Sequence, residues 1–300
     1  MRKRTRTTVA ATIAVAAVGF AVPAATSSAA SRTATGVSAA VPAATTTTTT
    51  PIIAAGLTTK GQLASFDIAA ANKAKVVGSF TGLVEDTSVV GIDYRVQDGL
   101  LYALGNAGGI YTVVPTTAAA TLVGRLTVPL LGTYFDIDFN PMADALRIVA
   151  DTGQNLRHPF AAGVANGTTV RDTPLAYTTG PGGGISAAAY TNNDVDAATG
   201  TALFDLDTMK DQVAQQVPAN AGSLTPTGTL GVDIGASAGF DILTVTAAGR
   251  SVGNLGLAAV LVDRTYKLYA VDLLSGAATA VTGFPRGAQI VDLAVPTAAP

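Results

Sequence analysis

Phe135-Asp136-Ile137-Asp138-Phe139-Asn140-Pro141 runs on into Ala145-Leu146-Arg147-Ile148-Val149-Ala150-Asp151, and the same phrase recurs along the chain. Gly91-Ile92-Asp93-Tyr94-Arg95 leads into Leu100-Leu101-Tyr102-Ala103-Leu104, and Gly239-Phe240-Asp241-Ile242-Leu243 into Leu257-Ala258-Ala259-Val260-Leu261-Val262-Asp263. Each copy is an apolar run, a polar break and a second apolar run, as in a strand, a turn and a strand. With the aspartate as marker, Asp93, Asp138, Asp241 and Asp292 fall in step, and Ala189 of Ser186-Ala187-Ala188-Ala189-Tyr190 fills the gap between the second and third. The spacings are then 45, 51, 52 and 51 residues. Such a period accommodates a four-stranded antiparallel sheet, the unit of a β-propeller.

Between markers each unit divides into four apolar segments separated by Gly, Asn, Asp, Thr and Pro. Three segments remain at the start, near 52–57, 63–68 and 75–80, and one at the end, near 290–295. They make a fifth unit only if the last strand joins the first three, which closes a ring and covers its sheet edges. An all-β propeller of five four-stranded blades is therefore expected over 52–296. Six blades remain open if the connections at 129–133 or 180–184 conceal more strands, and a β-sandwich also carries evenly spaced strands. The best helical candidate is short, 208–217.

Hydrophobic residues are 48% of the chain and charged residues 13%, enough apolar matter for a core. The one long apolar run is N-terminal. Arg2, Lys3, Arg4 and Arg6 precede an apolar stretch over 9–22, and Ser28-Ala29-Ala30 follows, so 1–30 reads as a cleaved signal peptide and the protein as secreted. No stable membrane span is expected after its removal. Residues 31–51, with six consecutive threonines from Thr45 to Thr50, read as a disordered tether. Of 18 basic and 20 acidic residues, four basic ones lie in the signal, which leaves 14 against 20, a net charge of −6. That balance argues against nucleic acid as a partner. With no cysteine there is no disulfide and no thiolate chemistry, and with one histidine there is no three-histidine zinc site.

Two sets of residues are candidates for chemistry. Asp93, Asp138, Asp241 and Asp292, repeated on the strands that would line an axis, form a candidate ring for Ca²⁺, or else accept hydrogen bonds that fasten blade to blade. The third unit adds Asp136, Arg147, Asp151, Gln154, Asn155 and Arg157 beside Asp138, a mixture able to clamp a polar or acidic ligand or to pin a turn. Asn192-Asn193-Asp194-Val195-Asp196 is a weak calcium-loop match, without the glycine and glutamate of an EF-hand. Gly235-Ala236-Ser237-Ala238-Gly239 fits the nucleophile-elbow pattern in letters only, because a strand and not a helix follows it.

Asp136-Ile137-Asp138-Phe139-Asn140-Pro141 with Asp151-Thr152-Gly153-Gln154-Asn155-Leu156-Arg157, Ala188-Ala189-Tyr190-Thr191-Asn192-Asn193 and Gly228-Thr229-Leu230-Gly231-Val232-Asp233 together resemble a secreted bacterial family, the domain of unknown function 4394. The likeness extends over roughly 56–295. It implies an exported, propeller-like domain and supplies no activity or residue roles. Two functions from different classes are expected. One is a non-catalytic module binding a protein, glycan or small ligand. The other is an extracellular glycoside-active enzyme using Asp carboxylates, disfavoured by the absence of Trp and by Glu85 being the sole glutamate.

Overall fold

The computed structural model describes residues 51–160, 164–192, 196, 198–247 and 250–296. The expected signal peptide and nearly all of the tether lie outside the described residues. Residues 52 onward form one compact unit.

The chain folds into five sheets, antiparallel apart from one short pairing in the fourth, arranged as the blades of a propeller. The first blade is Ile53–Thr58, Gln62–Asp67 and Lys75–Ser79, with Ile290–Ala294 added at its inner edge. The second is Val89–Tyr94, Leu101–Gly105, Gly109–Val114 and Ala119–Arg125, and the third Phe135–Asn140, Ala145–Ala150, Asn155–Pro159 and Val170–Arg171. The fourth is Ile185–Tyr190, Leu203–Asp207, Gln212–Gln216 and Ser223–Thr229, and the fifth Ala238–Ala247, Arg250–Val262, Thr265–Val271 and Ala278–Gly283. Ring closure occurs as expected: Ala55, Gly56 and Leu57 pair with Ala294, Leu293 and Asp292.

Two readings need correction. The connection at 180–184 conceals strands but no sixth blade. Ala176–Tyr177 and Gly180–Pro181 extend the fourth sheet outward, the former running parallel to Ser223 and Leu224. The segment 208–217 is a tight turn followed by a strand, not a helix. Asp207 Oδ1 accepts from the N–H groups of Met209 and Lys210, and Asp211 takes a positive φ of 50°. A short polar side chain that bonds the backbone ahead of it makes a turn where a helix would otherwise start.

Because both faces of a blade are covered by neighbours, its strands are apolar on both sides. Leu101 and Ala103 face the first blade, while Tyr102 and Leu104, one residue out of phase, face the third. The core is thus five layers, each between two blades. In the layer between second and third, Tyr102, Phe139 and Phe160 meet edge to face with centroids 5.0–5.5 Å apart. The layer between third and fourth is different. Val149 is the third blade's buried apolar contribution to it, and Arg147 and Asn155 stand in the same layer.

Near the axis the inner strands crowd together. A Cβ on Gly239 would lie 2.3 Å from Asp292 Cα, so this position admits only glycine.

Candidate functional site

The axis is lined with carboxylates. Asp93, Asp138, Asp241 and Asp292 are all buried on inner strands, and Asp136, one alternation before Asp138, joins them. Each reaches forward to the backbone of the next blade. Asp292 Oδ2 accepts from Ile92 N–H at 2.8 Å, and Asp93 Oδ2 from Phe139 N–H at 2.7 Å. Asp138 Oδ1 accepts from Tyr190 N–H and Asp136 Oδ2 from Ala188 N–H, both at 3.1 Å. Asp241 Oδ2 accepts from Val295 N–H at 2.5 Å. Four of these carboxylates also accept from the N–H of the residue that follows them. The fourth blade has Ala189 at this register and so lacks this carboxylate clasp to the fifth.

One oxygen from each of Asp93, Asp138 and Asp241 lies within 4.8 Å of the others. Burial raises all five carboxyls, and like charge adds to it: Asp241 acts on Asp93, Asp292 on Asp136, and Asp93 on Asp138. Asp241 is pushed up to about 6 and Asp292 to about 7, again by burial.

At the end of the axis where the inner strands begin, a cavity of about 450 Å³ opens. Its wall carries Thr59, Ser88, Tyr134, Ser237 and Tyr266, and Asp292 is the one carboxylate among the described residues that line it. None of the described residues that line it is a lysine, arginine or histidine. The loops that build it come from several blades, and no motif in the sequence announces it.

The third-unit residues do not converge on one site. Asp136 and Asp138 belong to the axis. Arg147 is buried between third and fourth blades, where Nη1 donates to Asn155 Oδ1 at 2.6 Å and Asp172 Oδ2 at 2.7 Å, and Nη2 to Asn220 Oδ1 at 2.8 Å. Asn155 in turn donates to the carbonyls of Thr173 and Ala219. Arg157, partly exposed, shares Asp172 at 3.2 Å. Gln154 bonds Leu131 N–H and Pro129 C=O, and Asp151 Oδ1 accepts from Thr133 N–H, so both staple the preceding connection. Asp172 and Asn220, essential to the Arg147 clamp, escaped sequence reasoning because they lie 25 and 73 residues from Arg147. Of the calcium-loop candidate, 193–195 lie outside the described residues, while Asn192 exchanges bonds with Asn254. Ser237 stands in the axial mouth, whereas His158 is buried with Nδ1 3.0 Å from Thr169 Oγ1.

Several solved structures are similar to this chain at low identity. An auxiliary nutrient binding protein from Bacteroides ovatus is 14% identical with a TM-score of 0.38, over 73% of this chain and 56% of its own. A protein of unknown function from Bacteroides thetaiotaomicron is 15% identical with a TM-score of 0.44, over 78% and 58%. A protein from Lactobacillus plantarum is 12% identical with a TM-score of 0.42, over 82% and 99%. The chain thus spans little more than half the length of the first two. Among curated protein sequences none matches. The sequence profile of one family matches residues 62–294, across all five blades, and the chain belongs to that family, the domain of unknown function 4394.

Proposed function

We propose that this chain is an exported, non-catalytic binding module that takes a small, neutral, hydroxyl-rich ligand, such as the end of a glycan, at the mouth of its axis. The observation that carries this reading is the wall of the 450 Å³ cavity, with two tyrosine rings, several side-chain hydroxyls and no basic group. Its size lies in the range of small-ligand sites. Glycoside hydrolysis by the usual route needs two carboxyl groups flanking the scissile bond. This wall offers one, Asp292, whose oxygens already accept from Ile92 and Leu293 N–H. That favours binding over turnover. Calorimetry with a panel of mono- and oligosaccharides tests it: binding is expected, and its loss in Tyr134→Ala. Release of reducing ends that stops in Asp292→Asn would overturn the non-catalytic reading, and a panel without any binder would overturn the choice of ligand. Export rests on residues 1–30, and N-terminal sequencing of secreted protein checks it.

A second reading concerns the axis itself, where the convergence of Asp93, Asp138 and Asp241 favours Ca²⁺. Calcium binds oxygens at about 2.3–2.6 Å, so ligands on opposite sides of the ion stand about 5 Å apart, and these oxygens fall within that span. Backbone N–H groups already hold the carboxylates in place, and the groups that act on them are chiefly one another. Titration with Ca²⁺ after EDTA treatment decides: heat and a raised melting temperature support the site, and neither effect dismisses it.

A further inference from the structure

The layer between third and fourth blades has hydrogen-bonding groups left over on both of its sides. Asp205, on Leu203–Asp207, is fully buried and neither of its carboxylate oxygens has a hydrogen-bond partner among the described residues. Gln216, on the adjoining Gln212–Gln216, is buried with Oε1 unpartnered, although its Nε2 donates to Ala219 C=O. Pairing register puts Asp205 across from Ala188 on one side and Ala214 on the other, with Gln216 across from Leu203. Asp205 and Gln216 are therefore diagonal neighbours on one face, and alanines flank the carboxylate where larger side chains would fill the space.

Donors stand unspent across the same layer. Arg147 Nη2 has two hydrogens and makes one bond, to Asn220. The Tyr190 hydroxyl accepts from Arg147 Nε at 3.4 Å, and its own hydrogen is given to none of the described residues. Arg147 acts on Asp205 electrostatically without touching it, against a burial that raises the carboxyl. Buried polar groups without partners cost about 1–3 kcal/mol each, and ordered water is the usual remedy where small side chains leave room.

We infer that an ordered water molecule occupies this layer and bridges Asp205 and Gln216 to the spare hydrogens of Arg147 and Tyr190. Water fits because it both donates and accepts. A metal cation is disfavoured by the guanidinium, and a second carboxylate by Asp205 itself.

Oxygen-17 relaxation dispersion on the folded protein tests the bridge. Wild type is expected to show long-lived internal water, and Asp205→Leu to show less of it. Asp205→Asn, close in shape and still polar, is expected to keep it and serves if the leucine variant fails to fold. A high-resolution crystal structure is expected to show density within hydrogen-bonding distance of both Asp205 and Gln216 Oε1. The inference is overturned if the two side chains touch directly, with a protonated-carboxyl infrared band that vanishes in Asp205→Asn. It is equally overturned if the long-lived water is unchanged in Asp205→Leu.

Discussion

Asp93 reaches across the seam between second and third blades, its Oδ2 accepting the backbone N–H of Phe139 at 2.7 Å while Oδ1 takes that of Tyr94. Asp93→Ala strands the buried N–H of Phe139 and the partly buried N–H of Tyr94. Hydrogen bonds to charged groups contribute about 1.5–3 kcal/mol, and relief of carboxylate repulsion offsets part of that. A net loss of about 1–2 kcal/mol is expected by urea denaturation. An unchanged or raised midpoint would show that repulsion outweighs the clasp.

Acidity should stabilise the cation-free protein. Asp241 and Asp292, pushed up to about 6 and about 7, bind protons in the folded state that the unfolded chain releases near its ordinary carboxyl range. The folded state therefore holds more protons between roughly pH 4 and 7, and stability falls as pH rises through that window. The slope is about 1.4 kcal/mol per pH unit for each carboxyl protonated only when folded. Urea melts in EDTA at stepped pH measure it, and stability rising over this window would contradict the assignment.

Arg147→Ala should be far more damaging than Arg157→Ala. The first leaves Asp172 without its main partner in a buried layer, a change of about 3–5 kcal/mol. The second removes a partly exposed partner, worth about 1 kcal/mol or less. Arg147→Lys should resemble the alanine variant, since one ammonium cannot serve Asn155, Asp172 and Asn220 at their separate positions. Equal midpoints for the two alanine variants would refute the buried clamp.

Gly239→Ala should weaken ring closure, because its Cβ would meet the Asp292 backbone. Overpacking of this kind costs about 1–3 kcal/mol or more. Gly78→Ala, with nothing within 4 Å of the added carbon, is the control and should melt near wild type.

The blade repeat was legible because its cause is local. Strands covered on both faces are apolar without interruption, as at Leu101–Gly105, and the marker aspartate recurs on four of the five inner strands, where it holds the neighbouring blade. Closure was legible from arithmetic, since three strands at one end and one at the other had no other partner. The added strands at Ala176–Tyr177 and Gly180–Pro181 are two residues each, too short to carry a period. The third-unit residues looked like one site because they are adjacent in sequence. Asp138 and Arg147 are cross-strand partners on one face, but the innermost strand holds Asp138 at the axis while the second strand holds Arg147 farther out in the layer against the fourth blade, and Gln154 turns to a loop. The axial mouth was invisible for the converse reason: Thr59, Ser88, Tyr134, Ser237 and Tyr266 are ordinary residues that only the ring assembles.

Ring closure also sets a schedule. Two of the five clasps, Asp292 to Ile92 and Asp241 to Val295, involve the closing strand or the residue just beyond it. Until that segment docks, the first blade is three strands with a bare inner edge and the axis is open at one side. A chain halted before Ile290 therefore presents a nearly complete set of blades that has nothing to latch.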